Sequence, residues 1–326
     1  MIAYSIRRLL QGIPTVLGVL FVFFFIFFMV NDPDKMARGA NGGDKASAQA
    51  IEEWKAEKGY NLPLFFNLKA PGFKAKCTET RFFSFYSKML TFQFGKADTD
   101  DELIIDKIKK GAGPSLALTV PIFLIGLFIS ISISLVVALF MNTYVDRFAL
   151  VLCVLGMSVV VFLYIIGGQY IMGKMLRWFA ISGWSEDHKF HFLFLPVLVG
   201  VIDSLSRRIR LYRTIMVNEV NSDYMRTARA KGVGDSSLLF KHLLKNSMIP
   251  ILTGVVMSIP YLFTGALLLE AFFGIPGLGK LTINAIINND FATLSAMVFI
   301  GSLLYVVFNL ITDLSYTLVD PRVKLQ

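Results

Sequence analysis

Long apolar runs separated by short charged segments dominate the pattern along this chain. A helix that crosses a bilayer needs about 20 mostly apolar residues. Six runs qualify: Leu9–Val30, Pro114–Phe140, Phe148–Met172, Phe190–Tyr212, Met248–Phe273 and Phe291–Val319. The first follows Arg7-Arg8 as a signal peptide would. It is too long for one, and no small-x-small cleavage site follows in "NDPDKMARG". The pattern therefore predicts a retained anchor over residues 1–30, an insert over 31–113 and a five-helix core over 114–326.

Charge sets the direction of these spans, because Lys and Arg gather in short cytoplasmic segments. With the N-terminus inside, the inside segments hold fourteen basic residues. These are Arg7 and Arg8, Arg147, nine between Ser206 and Ser247, Arg322 and Lys324. The short outside segments hold four: Lys174, Arg177, Lys189 and Lys280. Both termini are thus predicted to be cytoplasmic and the insert external. The insert carries helix-like patches at Ser47–Lys58, with Ser47 as N-cap, at Phe82–Phe94 and at Asp101–Lys110. Gly42-Gly43, Pro63 and Pro71-Gly72 punctuate it. A small cap over the membrane part and a flexible solvated loop are both open readings.

Composition agrees with the bilayer. Of 326 residues, 55% are hydrophobic, 30 are Phe, and mean hydropathy is +0.62. Only 17% are charged, against about 25% in soluble domains. The net charge of +9 does not point to nucleic acid, since the basic residues lie at the ends of apolar runs. Cys77 falls in a polar segment and Cys153 in an apolar one, which argues against a disulfide framework or a zinc site.

Gly274-Ile-Pro-Gly-Leu-Gly279-Lys280 has the spacing of a nucleotide-binding Walker A loop. Such a loop follows a strand and ends in Ser or Thr on the Mg²⁺. Here an apolar run precedes it, Leu281 follows Lys280, and the segment is predicted outside. The structural reading is preferred: Gly274, Pro276, Gly277 and Gly279 form the turns of a re-entrant hairpin, an external gate. No His-Glu-x-x-His, nucleophile elbow or complete P-loop occurs, so no catalytic residue is assigned.

Other polar residues are weighed against plainer roles. His188 and His191 are spaced to share a metal, but interfacial decoration is the preferred reading and no metal site is assigned. Asp203, Glu270 and Asp313 are acids in or beside spans, functional candidates by default. Asp203 has Arg207 at i+4 and is explained by pairing with it. Thr119, Ser130, Ser134 and Glu270 are candidates for a polar substrate path, with helix–helix packing as the alternative.

The loop over 206–247 is the most informative segment. Tyr224–Lys231 predicts a short helix with basic residues on its surface, and Gly232-Val-Gly234 breaks it. A second helix over Ser237–Asn246, capped by Asp235 or Ser236, leads to Pro250. Two short helices bent at a glycine make a projecting knob suited to a cleft on another protein. An amphipathic helix held on anionic lipid is the alternative.

"DYMRTARAKGVG" followed by "LLFKHLLKNSMIPIL" resembles the EAA-type coupling loop of ABC importer permeases of the oligopeptide/dipeptide branch. Arg226–Gly232 matches that branch's Arg-Thr-Ala-Arg-Ala-Lys-Gly at every position. "IRRLLQGIPTVLGV", "FYSKMLTFQFG", "PSLALTVPIFLIG", "LLLEAFFGIPGLGKL" and "LITDLSYTLVDPRV" resemble further segments of the same family. The third run departs from it, lacking the proline of the family's Ser-x-Pro. The resemblance implies an all-α membrane fold of six transmembrane helices with a helical external insert, in the cell inner membrane. It implies a homologous second permease, two cytoplasmic ATPase subunits and an external substrate-binding protein as partners, besides membrane lipid and without nucleic acid. ATP and Mg²⁺ would sit on the ATPases, with no cofactor on this chain. Tyr224, Arg226, Thr227, Ala228, Arg229, Ala230, Lys231 and Gly232 would be the ATPase-coupling residues. The implied substrate is a peptide. A nickel chelate, a peptide antibiotic and a sugar are alternatives, as are an ion-driven secondary transporter and a membrane-anchored interaction protein.

Overall fold

The computed structural model describes residues 2–26, 34, 37–38, 47–57, 59–68 and 72–319. Among these the chain is helical, its one extended pairing an isolated bridge between Lys96 and Leu103. It divides into two packed units. One comprises Ile2–Lys110 with Leu281–Val307; the other comprises Gly111–Lys280 and the chain from Phe308 on.

In the first unit, helices α1 (Ile2–Phe24), α2 (Ala48–Glu57), α3 (Phe73–Thr78) and α4 (Arg81–Leu90) precede the start of α5 (Ile104–Leu139). The Ser47 side chain accepts the Ala50 N–H at 3.2 Å, the cap expected from sequence. Thr80 caps α4 in the same way through the Phe83 N–H. The predicted helix over Phe82–Phe94 is shorter, because Phe92 turns the chain with φ of 56°. The apolar core joins Leu20, Phe23 and Phe24 of α1 to Phe85, Met89 and Phe94 of the insert and to Leu294 and Phe299. A fully buried side chain of this size is stabilised by about 1.5–3 kcal/mol relative to water. Asp290 ties the insert to the last helix: it accepts the Asp98 N–H (3.1 Å), the Thr99 hydroxyl (3.2 Å) and the Thr293 N–H (3.0 Å). The described part of the insert is thus packed structure, not a solvated loop.

The second unit holds most of α5, then α6 (Tyr144–Ser158), α7 (Val161–Gly168, continued by a wide turn over Gln169–Met175) and α8 (Lys189–Val220). It continues with α9 (Asp223–Ala230), α10 (Asp235–Thr264) and α11 (Leu267–Phe273). Two helices, α12 (Leu278–Ile287) and α13 (Phe291–Val319), complete the chain. Small residues allow close crossings: a Cβ at Gly200 would run into Ile122 of α5, and one at Gly156 into Ser206 of α8. In lipid such contacts hold helices together where hydrophobic burial cannot.

Three sequence expectations change. The helix predicted at Asp101–Lys110 is not separate: α5 runs unbroken for 36 residues past Pro114 and Pro121. Neighbouring helices sustain a span that lacks those N–H groups. The run Phe148–Met172 is not one straight helix, because α6 and α7 meet at a 90° bend. Val159 and Val160 are extended there, as suits β-branched residues, and the Tyr164 hydroxyl takes up the freed Gly156 carbonyl at 2.9 Å. The run Met248–Phe273 also breaks, at Gly265, whose φ is 81°. Among the described residues four helices are long and apolar enough to cross a membrane, five if the bent pair is counted as one span, and Leu10–Phe24 is a shorter apolar helix. The all-α membrane class therefore stands, while the count of six is not reached within the described residues.

Candidate functional site

Three places in the second unit gather the residues singled out from sequence. The first is the glycine-rich hairpin. Glu270, on α11, is completely buried. Its carboxylate accepts the Ser115 hydroxyl (2.8 Å), the Ala266 N–H (2.9 Å) and the Lys280 N–H (3.1 Å). Ser115 in turn accepts the Leu278 N–H at 2.7 Å. The amides that a P-loop would turn to a phosphate are here closed on the chain's own carboxylate. Gly274 takes the left-handed conformation, φ 74°. Gly277 and Gly279 are needed for space, not for positive φ: a Cβ at Gly277 would lie 2.5 Å from Ser115 Oγ, and one at Gly279 2.8 Å from the Leu267 N. Pro276 stays at the surface. Gln169 donates to the Phe272 carbonyl at 3.1 Å, and Gly183 N–H to that of Phe273 at 2.8 Å. The hairpin is a rigid, satisfied polar knot.

The second place is the proposed path. Thr119 lines a cavity of about 630 Å³, together with Asp203, Arg207, Arg208, Ser258 and Tyr261. Its hydroxyl donates to the carbonyls of Ser115 and Leu262, both at 2.9 Å. The other three candidates do not line this cavity. Ser130 and Ser134 are fully buried; Ser130 donates to its own helix at Gly126 O (2.6 Å) and Ser134 to Ile209 O of α8 (3.1 Å). Glu270 lies in the hairpin, and the two serines make the internal contacts of small polar residues between membrane helices. Asp203 pairs with Arg207 at 2.7 Å, as i,i+4 spacing predicted. The Asp313 side chain lies outside the described residues, as do those of Arg7, Arg8, Arg322 and Lys324.

The third place is the charged segment between α8 and α10. It begins later than expected, since α8 continues to Val220. The second short helix is also absent as a separate element: Asp235 and Ser236 open α10 without a side-chain cap, and a π-helical stretch, Leu238–Leu244, runs straight into the span. The glycine bend is as predicted, with Gly232 at φ 72° and nothing within 4 Å of a Cβ placed there. Arg226, Thr227, Arg229, Ala230 and Lys231 are exposed. Ala228, expected to face a partner, is 7% exposed and turned inward with Met225. Both pack with Met216 and Val220 of α8, Leu135 and Ala138 of α5, and Leu239 and Leu243 of α10. The helical period places residues 225 and 228 on one face, and the apolar ends of three helices claim that face. Tyr224 donates to Glu219 at 2.6 Å; burial first, and this bond next, raise the phenol above its ordinary range.

A family model for the binding-protein-dependent transport system inner membrane component matches residues 115–325. The chain belongs to this family. It is 30% identical over 98% of its length to a "Probable peptide ABC transporter permease protein y4tP" of Sinorhizobium fredii, covering 99% of that protein. It is 29% identical over 99% of its length to the glutathione transport system permease protein GsiC of Salmonella typhimurium, again covering 99%. The GsiC protein of Escherichia coli is 28% identical over 99% of each chain. The chain is therefore a multi-pass inner-membrane permease subunit of an ABC importer. The matched region contains all three places described above. Sequence reasoning missed Ser115, Gly265 and Arg208 in this permease. A Ser directly after Pro114 and an Arg following another Arg are weak signals alone. It also missed Asp146, buried near the start of α6 and gripped by both arms of Arg213, the longer at 2.6 Å.

Proposed function

We propose that this permease is one half of the membrane channel of an importer that takes up peptides handed over by an external binding protein. A homologous second permease forms the other half. Two cytoplasmic ATPase subunits hold ATP and Mg²⁺, and this chain carries no catalytic group. Both termini are cytoplasmic and the insert is external. The names of the relatives, a peptide permease and glutathione permeases, support the substrate class.

The observation that carries the coupling role is the way α9 is mounted. Its outer face offers Arg226, Arg229 and Lys231 to a partner, while Met225 and Ala228 fix its inner face to α5, α8 and α10. A push on the exposed face is passed to three helices at once. Closure of the ATPases on ATP would thus bias the channel between inward- and outward-facing states, provided the two states bind the ATPases differently.

The test is ATP hydrolysis by the reconstituted complex carrying Gly232→Val. A β-branched residue is strained at positive φ but meets no neighbour there, so the bend changes and the packing does not. Normal insertion, unstimulated hydrolysis and lost uptake are expected. Full stimulation by loaded binding protein with normal uptake would remove the coupling role. If α9 merely lay on lipid, Gly232→Val would be silent and only charge changes would matter. Orientation is checked separately: a membrane-impermeant thiol reagent on spheroplasts should label Cys77, which is partly exposed, and spare Cys153, which is buried.

A further inference from the structure

Arg208, half-buried on α8, has no ion pair among the described residues. The Arg208 guanidinium donates to the Phe123 carbonyl at 3.0 Å and lies over the Phe123 ring, 5.2 Å from its centre. No carboxylate pairs with it among the described residues, and four of its five donors have no protein acceptor there. Of its neighbours on α8, Arg207 pairs with Asp203 and Arg213 with Asp146, while Arg210 is exposed and reaches only the Met157 sulfur. Arg208 also points the wrong way for an interfacial cation. Phe123 and Gly126, which flank it, lie near the middle of the apolar run 114–140. A Cβ at Gly126 would stand 2.9 Å from the guanidinium, so the glycine makes its room. Arg keeps its charge in nearly any setting. A lone cation held at that depth is costly and marks a functional site by default.

This guanidinium lines the cavity of about 630 Å³ with Asp203, Arg207, Ser258, Tyr261 and Thr119. Asp203 and Arg207 cancel each other at 2.7 Å. The cavity therefore has one net positive charge, several hydroxyls and space for a few peptide atoms. We infer that it is a carboxylate subsite on the peptide path, with Arg208 as its donor. The inference rests on the importer reading above and adds to it what the path recognises. The planar guanidinium fork suits a free carboxylate, which it can bind through two parallel hydrogen bonds. A C-terminally amidated peptide has no such group.

Two measurements on the assembled complex test it. The first needs no peptide. With Cys77 and Cys153 replaced by Ser, Tyr261→Cys is modified in vesicles by an anionic and by a cationic thiosulfonate reagent. The anionic reagent should react faster, and Arg208→Gln should cut that preference about tenfold, the scale of one charge-assisted hydrogen bond. Arg208→Lys should keep most of it. No preference in the parent, or one that Arg208→Gln leaves intact, overturns the proposal. A lipid phosphate offers the same chemistry, so vesicles with and without phosphatidylglycerol are compared. A preference seen only without the anionic lipid assigns Arg208 to lipid and also overturns it. The second measurement is uptake of a peptide against its C-terminal amide. The free acid should be carried about tenfold faster, and Arg208→Gln should erase that ratio by slowing the acid alone. Equal slowing of both would mean that Arg208 only holds the fold, and would sink the subsite. If the complex carries no peptide while the reagent preference still depends on Arg208, the peptide reading fails and the anion site stands.

Discussion

The glycine hairpin and the charged knob look alike in sequence and behave oppositely in space. Each has a glycine at positive φ beside basic residues, Gly274 with Lys280 and Gly232 with Lys231. In the hairpin the backbone folds around a buried carboxylate and every glycine is crowded. In the knob the glycine stands in open space and the charges point outward. Even the hydroxyl–glutamate bonds form a matched pair. Ser115 donates to Glu270 at 2.8 Å in full burial, and Tyr224 to Glu219 at 2.6 Å near the surface. The contrast separates a buried turn closed on its own carboxylate from an exposed, charged one. What differs is solvent access, which decides whether a polar group costs stability or serves recognition.

Breaking the buried carboxylate should have the largest effect. Glu270→Leu removes the acceptor of Ser115, Ala266 and Lys280. A loss of about 3–5 kcal/mol is expected, since each stranded donor keeps its desolvation cost. Thermal unfolding of the purified permease complex reads it, and an unchanged midpoint would show that the knot is dispensable.

A single methyl group sharpens the contrast next. Gly277→Ala places a Cβ against Ser115 and Glu270 and should cost about 1–3 kcal/mol by overpacking. Gly232→Ala meets nothing, so only backbone strain of about 1 kcal/mol remains. Midpoints measured side by side should rank in that order; equal shifts would mean the two glycines do the same job.

The matched hydroxyls give a third comparison. Ser115→Ala also strands the Leu278 N–H, and about 2 kcal/mol should be lost. Tyr224→Phe should change stability by about 0.5 kcal/mol or less, as for other exposed polar groups. The smallest effect on stability should come from Arg229→Glu, whose side chain is exposed. It should leave the melting midpoint unchanged and weaken ATPase association. The weakening should fade as salt is raised, because exposed charges are screened beyond about 10 Å at 0.1 M. A salt-independent loss would point to misfolding of the knob.

The Walker-like spacing shows what local pattern leaves open. Its Gly and Pro residues signalled a tight turn correctly, and the missing strand argued against nucleotide. That the turn encloses Glu270 depends on Ser115, which lies 155 residues away in the chain. The bend of the charged loop was legible, because Gly-Val-Gly breaks a helix whatever surrounds it. Which face of α9 is hidden was not legible, so Ala228 was assigned to the outside.

The sequence by itself determined that the chain is all-helical and membrane-bound, and where its charged knob lies. Those features follow from local terms: run length against bilayer thickness, helix breakers and charge placement. Tertiary structure alone decided that the third run bends by 90° and that the fifth breaks at Gly265. It also buried Ser130, Ser134 and Glu270 away from the cavity that Arg208 lines without an ion pair. Each of these depends on partners far along the chain, and uniform hydrophobicity carries no record of which face of a helix meets protein and which meets lipid or an opening.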